Sequence, residues 1–167
     1  MSFKISCLLF AKNKSSKLLL LQRNKSPNQG LWSPPGGKLE MTIGESPFEC
    51  AKREAFEEIS LKLDDQDLNL FGYVSEKNYE GGNHWLMFLF EIIPPLDFLP
   101  KQIKEGSFKF FSRSEIDSLN IPQTDHTLVW PFYDKRKDGF WGIRANFDSK
   151  GAKIKIEAEP LSRDNVK

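Results

Sequence analysis

Residues 36–61 read GGKLEMTIGESPFECAKREAFEEISL, and the second half of this stretch carries the clearest helix signal in the chain. Ser46 supplies an N-cap hydroxyl, Pro47 suits the first helical position, and Glu49 completes a capping box. The pattern predicts a helix that begins at Ser46 and runs to about Ile59. Apolar residues recur along it at helical spacing and form one stripe that docks the helix on a sheet: Phe48, Ala51, Ala55 and Ile59.

The same helix carries three glutamates on one face. Glu54, Glu57 and Glu58 are spaced so that their carboxylates share an arc of roughly 100°. Arg53 can pair with Glu57 one turn on, but one guanidinium does not neutralise three acids. Clustered hard oxygen ligands suit Mg²⁺ or Mn²⁺. Three glutamates on one helix more often form a simple solvated face, so the helix by itself leaves both interpretations open.

The segment before the helix favours the metal site. Gly36 and Gly37 let the backbone approach a ligand closely, and their carbonyls can coordinate a cation. Together with GE at 44–45, REAFEE at 53–58 and Leu61, these glycines resemble the Nudix box. The box is therefore the most specific motif in the chain.

This box departs from the family pattern in two places. Seven residues separate Gly37 from Glu45 where the family usually has five, which indicates a two-residue insertion around 41–43. Ser60 stands where the pattern has glycine. Extra length in a loop costs little, and glycine is common but not required after a helix end. We expect neither departure to touch a proposed ligand.

The resemblance implies a fold and a chemistry. The fold is an α+β, Nudix-type α/β/α sandwich with a mixed β-sheet between helices. The activity is hydrolysis of a pyrophosphate bond in a nucleoside diphosphate derivative, with Mg²⁺ as cofactor and Mn²⁺ as an alternative. Catalysis falls to Glu54, Glu57 and Glu58, with Arg53 and Glu45 orienting the cluster.

The resemblance also implies the metal ligands. Glu54, Glu57 and Glu58 would bind the divalent ions, and the Gly37 carbonyl is a further candidate. The identity of the general base is left open, since family members differ. An additional acid often comes from a loop outside the box, and Glu105 is placed like it, although a surface loop glutamate is an equally good interpretation.

Four residues outside the box are candidates for substrate binding. The segments 20–23 and 30–33 look like the opening of MutT-type nucleoside triphosphatases, which suggests Arg23 and Ser33. The segment 121–142 resembles the end of the oxidised purine triphosphatases of that group, in which an acidic residue reads the base. Asp125 takes that role here, unless it simply caps a helix. Asn83 is the fourth candidate.

The resemblance therefore points to a (deoxy)nucleoside triphosphate substrate, including an oxidised purine such as 8-oxo-dGTP, cut to monophosphate and pyrophosphate. ADP-ribose, a nucleotide sugar or a dinucleoside polyphosphate are alternative substrates within the family. A non-catalytic Nudix-like domain that binds a nucleotide is the alternative from another class. The intact glutamates argue against it, whereas the insertion leaves it open.

The remaining elements follow from periodicity and turn residues. Residues 3–10 and 17–23 read as a β-hairpin, followed by strands at 68–75, 84–92 and 108–112. A second, short helix is indicated at 112–115. A third is signalled by Thr124 and Asp125 ahead of residues 128–137, and Pro131 would kink it or delay its start. Residues 140–147 and 152–158 read as a terminal hairpin.

Composition sets the outer bounds. A length of 167 residues fits one domain, so residues 1–167 are expected to form a single Nudix domain. With 24 basic and 23 acidic residues the chain has no general field for a nucleic acid polymer, and no apolar run is long enough for a membrane. The start of the chain lacks a secretory signal, which favours a cytoplasmic protein. We expect a small nucleotide partner and a monomer or homodimer.

Overall fold

The computed structural model describes residues 3–26 and 28–162. Its described strands are β1 Phe3–Phe10, β2 Leu18–Arg23, β3 Trp32–Ser33, β4 Gly36–Lys38, β5 Leu68–Tyr79, β6 Asn83–Ile92, β7 Gly106–Phe111, β8 Trp141–Asp148 and β9 Gly151–Ala158. The α-helices are α1 Pro47–Ile59, α2 Arg113–Ile116, α3 Asp125–Leu128 and α4 Trp130–Asp134. Single turns of 3₁₀-helix lie at Met41–Ile43, Asp65–Asp67 and Arg136–Asp138.

Two sheets organise these strands. The larger has six strands in the order β4-β1-β6-β5-β8-β9, and the smaller has three in the order β3-β2-β7. The pairs β1·β6 and β5·β8 are parallel and the other neighbours are antiparallel, so the larger sheet is mixed. This is the α+β sandwich that the resemblance implies.

The core divides into two clusters on opposite faces of the large sheet. Along β1, Cys7 and Leu9 belong to the cluster that contains the apolar stripe of α1, whereas Phe10 belongs to the cluster that contains Trp130 of α4. Alternate strand residues point to opposite faces, which places α1 on one side of the sheet and α3 and α4 on the other. Within the described residues, no helix has the length and apolar character needed to cross a bilayer.

The predicted helix forms as α1 with its predicted cap. The Ser46 hydroxyl accepts a hydrogen bond from the Glu49 N–H at 3.2 Å, and the Glu49 carboxylate accepts one from the Ser46 N–H at 2.7 Å. Ala51, Ala55 and Ile59 of its apolar stripe are buried. The half-buried Phe48 packs edge-on against Phe90 with ring centroids 5.0 Å apart. The helix ends at Ser60, which adopts the left-handed conformation with φ of 60°.

The predicted first hairpin is wrong beyond its turn. Lys12 bridges Leu18, and the Leu19 N–H donates to the Ala11 carbonyl at 2.9 Å, but β1 and β2 then separate into different sheets. The four leucines that open β2 explain this, because alternate ones join opposite core clusters. A strand that is buried on both faces lies between layers and cannot extend a surface hairpin.

The end of the chain matches the prediction more closely. The third predicted helix divides at Val129 into α3 and α4, with Pro131 in the first turn of α4. Proline has no N–H to donate, so it is tolerated in a first turn but not within a continuous helix. The terminal hairpin forms from β8 and β9, and β8 joins the large sheet beside β5.

Candidate active site

One guanidinium organises the carboxylate face of α1. Arg53 donates from Nε and Nη2 to both oxygens of Glu45, at 2.8 and 2.9 Å. Its Nη1 donates to Glu54 at 2.7 Å and to Glu57 at 3.2 Å, and its Nη2 also reaches the Lys38 carbonyl at 2.9 Å. Arg53 therefore ties three carboxylates of the box to the backbone of β4.

The inserted loop leaves this arrangement intact. Its extra residues form the 3₁₀ turn at Met41–Ile43, which ends at Gly44 in the left-handed conformation. Glu45 then closes the loop, because its carboxylate accepts from the Glu40 N–H at 2.8 Å as well as from Arg53. The hydrogen bond from Arg53 is the main reason why the pKa of Glu45 is lowered. The insertion thus lengthens the loop without displacing Glu45 from Arg53.

Each of the two glycines of the box lies very close to a different neighbouring residue. A side chain at Gly36 would place its Cβ 2.0 Å from the Cys7 carbonyl oxygen of the neighbouring strand. A side chain at Gly37 would place its Cβ 2.1 Å from Oε1 of Glu54. Real carbon and oxygen atoms do not approach so closely. At Gly36 the obstacle is backbone, so β4 can pair with β1 only with glycine there, whereas at Gly37 the obstacle is the movable end of the Glu54 side chain.

Glu54 and Glu58 are carboxyl groups in a largely buried setting. Burial raises the pKa of Glu54, although the hydrogen bond from Arg53 acts in the opposite direction. Burial also raises the pKa of Glu58 to about 8, and the charges of Glu54 and Glu105 add to that rise. The Gly36 N–H, which donates to Glu58 at 3.0 Å, and the charge of Arg23 only partly offset it. Two such carboxyls favour an added positive charge.

The donor chemistry fits a divalent cation, although no finished cage is present. Among the described residues, no three His, Cys, Asp or Glu side chains are grouped so as to hold a metal ion. Glu54 and Glu57 are hydrogen-bonded to Arg53, and Glu58 to Gly36, so a cation would compete with these contacts. Carboxylate oxygens are nevertheless the ligands that Mg²⁺ prefers in proteins, and the one guanidinium of Arg53 does not balance the charge of all the glutamates on this face. Glu105 lies in the exposed turn before β7, within electrostatic reach of Glu58.

A cavity of about 750 Å³ extends from the glycines of the box. All four residues predicted for the substrate line it: Arg23, Ser33, Asn83 and Asp125. They come from β2, β3, β6 and α3, so the fold brings them together from distant parts of the chain. Gly36 and Gly37 line the same cavity, which connects it to the carboxylates of α1.

Asp125 lies inside α3 rather than capping it. The N-cap position is Thr124, with no hydrogen bond from its side chain, and Asp125 follows as the first helical residue. Its side chain is buried, with 8% of the residue exposed. Burial, together with the charge of Glu76, raises the pKa of Asp125 to about 7. The capping interpretation of Asp125 is therefore wrong.

Glu76 was missed by sequence reasoning. It lies on β5, is 3% exposed, and lines the cavity. Burial, with the charge of Glu80, raises the pKa of Glu76 to about 7. The sequence did contain a sign of this buried carboxyl. Glu76 lies two residues after Val74 and so on the same face of the strand, where an apolar residue is expected. Ending the predicted strand at Ser75 removed that signal.

Comparison with known proteins agrees with this geometry. The sequence profile of the NUDIX domain matches residues 3–132. A MutT protein from Bacillus halodurans is 24% identical with a TM-score of 0.71, over 94% of this chain and 99% of its own. A MutT protein from Methanosarcina mazei Go1 is 24% identical with a TM-score of 0.64, over 81% and 93%.

The NUDIX domain of Shewanella oneidensis NrtR, whose structure contains ADP ribose, is 19% identical. Its TM-score is 0.61, over 81% of this chain and 87% of its own. Likenesses at these identities establish the fold. The profile, in contrast, spans most of the chain, including the whole box from Gly36 to Leu61. The chain belongs to the Nudix family.

Proposed function

We propose that this protein hydrolyses a nucleoside triphosphate, including one with an oxidised purine such as 8-oxo-dGTP, to a monophosphate and pyrophosphate. This proposal rests on a single cavity whose wall contains both the glycines of the box and the buried Asp125. Its volume of about 750 Å³ lies in the range of small-molecule sites. The phosphates would lie beside Gly36 and Gly37, and the base beside Asp125.

The carboxylate face of α1 would hold the divalent ion, Mg²⁺ or Mn²⁺. Glu54, Glu57 and Glu58 are the proposed ligands, with the Gly37 carbonyl beside them and Glu105 as an additional acid from the turn before β7. When bound, such an ion stabilises charge on the bridging oxygen and lowers the pKa of the attacking water. Family members of this kind generally use divalent metals.

The chain's own residues orient this machinery. Arg53 holds Glu54 and Glu57 in place and is itself anchored on both oxygens of Glu45. Glu58 hydrogen-bonds to Gly36 at the cavity wall, which makes it our candidate for taking the proton of the attacking water. Beside a bound divalent ion the Glu58 carboxyl would be ionised and able to accept that proton, because the positive charge offsets the burial that raises its pKa.

Basic side chains suit the cavity to an anionic ligand. Lys4, Arg23 and Lys38 all line it, and each carries a charge that attracts phosphate oxygens. Lys4 and Lys38 also lie over the ring of Trp85, at 5.1 and 5.8 Å from its centroid. Trp85 lines the cavity as well and offers an apolar surface on which a base can stack.

Two other functions are each favoured by one observation. The similarity to an NrtR domain whose structure contains ADP ribose favours a substrate in which phosphates join a nucleoside to a second group, such as ADP-ribose, a nucleotide sugar or a dinucleoside polyphosphate. The pairing of Glu54 and Glu57 with Arg53 favours a nucleotide-binding domain without catalysis. We also infer that residues 1–167 form one domain, because β8 extends the large sheet beyond residue 132.

A substrate panel separates these functions. The protein is incubated with Mg²⁺ and normal or oxidised nucleoside triphosphates, ADP-ribose, a nucleotide sugar or a dinucleoside polyphosphate, and products are separated by chromatography. We expect the fastest turnover with a triphosphate, giving monophosphate and pyrophosphate. Preferential cleavage of ADP-ribose or a related compound would support the first alternative. Tight nucleotide binding without turnover of any compound would support the second.

A further inference from the structure

Glu76 occupies a position that should be apolar. It follows Val74 by two residues on β5, so both side chains point to the same face of the sheet, and Val74 belongs to the cluster built around Trp130. Burial of an ionisable side chain costs free energy unless a partner offsets it. Glu76 is only 3% exposed, and the chain retains it where a hydrophobic residue would stabilise the fold.

Asp125 lines the same cavity from helix α3. It is the first residue of α3, and Leu128 of that helix packs into the cluster that contains Val74. The charge of Glu76 acts on Asp125, which places the two carboxyls within electrostatic reach. Within residues 3–26 and 28–162, neither carboxyl has a hydrogen-bond or ion-pair partner. Both groups therefore have their hydrogen-bonding capacity available to a ligand.

Charged side chains and one aromatic ring surround the two carboxyls in the cavity. The other titratable or charged side chains that line the cavity are Lys4, Cys7, Arg23, Lys38, Tyr79 and Glu80. In the sheet, Glu76 pairs directly with Trp85 of β6, and Trp85 pairs with Lys4 of β1, so these three side chains form one row on the cavity face. An aromatic ring thus lies next to the buried carboxyl.

We propose that Glu76 is a specificity-determining residue that joins Asp125 to form a two-carboxyl reader of the nucleobase edge. The pair selects a base that presents two adjacent N–H donors beside a carbonyl, as a guanine-type base does. This inference rests on the nucleotide substrate proposed above and adds a residue and a recognition rule to it. Trp85, in the same row, provides the stacking surface for that base.

The chemistry of the two groups matches that edge. An ionised carboxyl only accepts hydrogen bonds, whereas a protonated one also donates. Because burial raises the pKa of both Glu76 and Asp125 to about 7, one carboxyl can be protonated while the other is ionised near neutral pH. Such a pair can accept from the N1–H and the 2-amino group of guanine and donate to O6. Hypoxanthine lacks the amino group, and uracil and adenine each present a different order of donors and acceptors.

The test measures binding of nucleoside monophosphates without a divalent ion, so that it does not depend on hydrolysis. Calorimetry compares GMP, IMP, AMP and UMP on the unmodified protein and on the Glu76→Met and Asp125→Leu variants, which remove both acceptor and donor at each position. Glu157→Met is the matched control, since this exposed carboxylate lies on the same sheet outside the cavity. Circular dichroism verifies that each variant is folded.

We expect the unmodified protein and the control to bind GMP at least about tenfold more tightly than IMP, because losing the amino group leaves a buried acceptor unpaired. Glu76→Met and Asp125→Leu should each bring that ratio to within about twofold of one. An unmodified protein with no preference for GMP over IMP overturns the proposal, as does a folded Glu76→Met variant that keeps the full ratio.

The outcome is distinguishable from that of the proposed function. A preference for GMP that depends on Glu76, in a protein that hydrolyses no triphosphate, would leave the reader standing and reject the hydrolase. Triphosphate hydrolysis with a base preference that does not change when Glu76 is replaced would support the hydrolase and reject the reader. The ligand series on the unmodified protein decides the recognition rule even if a variant does not fold.

Discussion

The backbone N–H of Gly36 donates a 3.0 Å hydrogen bond to the side chain of Glu58 and so joins β4 to the carboxylate face of α1. Gly36 also lines the cavity, whereas Glu58 belongs to the buried cluster beside it. This contact places the proposed metal-binding face next to the proposed phosphate site. Hydrolysis of a phosphate anhydride requires the proposed metal-binding face and the proposed phosphate site to be adjacent in this way.

The two glycines of the box should fail in different ways when replaced by alanine. In Gly37→Ala the new Cβ meets only the end of the Glu54 side chain, which can move. We expect the fold to survive and turnover to fall about tenfold to hundredfold, because a catalytic group is misplaced. In Gly36→Ala the Cβ meets the Cys7 backbone, and unfolding should be easier by about 2 kcal/mol or more.

Thermal unfolding and turnover measured on both variants check this contrast. An active Gly37→Ala variant would show that the position of Glu54 is not critical.

Arg53 should not be replaceable by lysine. A lysine ammonium cannot hold both oxygens of Glu45 and reach Glu54 at the same time, because it lacks the planar fork of arginine. We expect Arg53→Lys to lower kcat at least about tenfold while the variant stays folded. Lys52→Arg, at the preceding residue, is the control, since Lys52 pairs with Asp65 at the surface. Equal rates for the two variants would contradict the orienting role of Arg53.

Restoring the family glycine after α1 should stabilise the protein. Ser60 has φ of 60°, which costs an L-residue about 1 kcal/mol relative to glycine. The Ser60→Gly variant should therefore gain about 1 kcal/mol in the free energy of unfolding, measured by urea denaturation, with unchanged turnover. A loss of stability would mean that the Ser60 side chain contributes more than its backbone conformation costs.

The buried carboxyls should make stability depend on pH. The pKa of Asp125 is about 7 in the folded protein and near 3.8 in an unfolded chain, so the folded state binds more protons between these values. The free energy of unfolding should therefore be highest at the acid side of this window and fall as pH rises through it. The limiting slope is about 1.4 kcal/mol per pH unit for one group.

Asp125→Asn removes this titrating group and should lower the slope between about pH 4 and 7 by up to about 1.4 kcal/mol per pH unit, as measured by urea unfolding. Glu76 and Glu58, whose pKa values are also raised, should maintain the rest of the pH dependence. An unchanged slope would show that Asp125 is ionised in the folded protein at neutral pH.

Local signals predicted the parts of the fold that depend on neighbouring residues. The cap, start and end of α1 follow from Ser46, Pro47 and the apolar stripe, and the terminal hairpin follows from its turn residues. The strands β3 and β4 have only two and three residues, and they form because other strands pair with them. The separation of β1 from β2 likewise reflects burial on both faces of β2, which no local pattern reports.

The candidate site shows the same division. Helical spacing brings Glu54, Glu57 and Glu58 together, and it also predicts the pair between Arg53 and Glu57. Arg53 contacts both oxygens of Glu45, and this contact depends on the path of the inserted loop between β4 and α1. The spacing of residues along the helix does not determine that path. Glu76 escaped prediction because the predicted strand ended at Ser75, whereas β5 continues to Tyr79.

The most direct test of the central claim compares three forms of the protein in one assay. The unmodified chain, Glu58→Gln and Glu49→Gln are each incubated with Mg²⁺ and a set of nucleoside triphosphates that includes 8-oxo-dGTP, and released pyrophosphate is measured. Glu49 is an exposed residue of the same helix, and glutamine can keep its capping hydrogen bond. We predict pyrophosphate release by the unmodified chain and Glu49→Gln, and a rate at least about a hundredfold lower for Glu58→Gln. Failure of the unmodified chain to release pyrophosphate, or full activity of Glu58→Gln, would contradict the account.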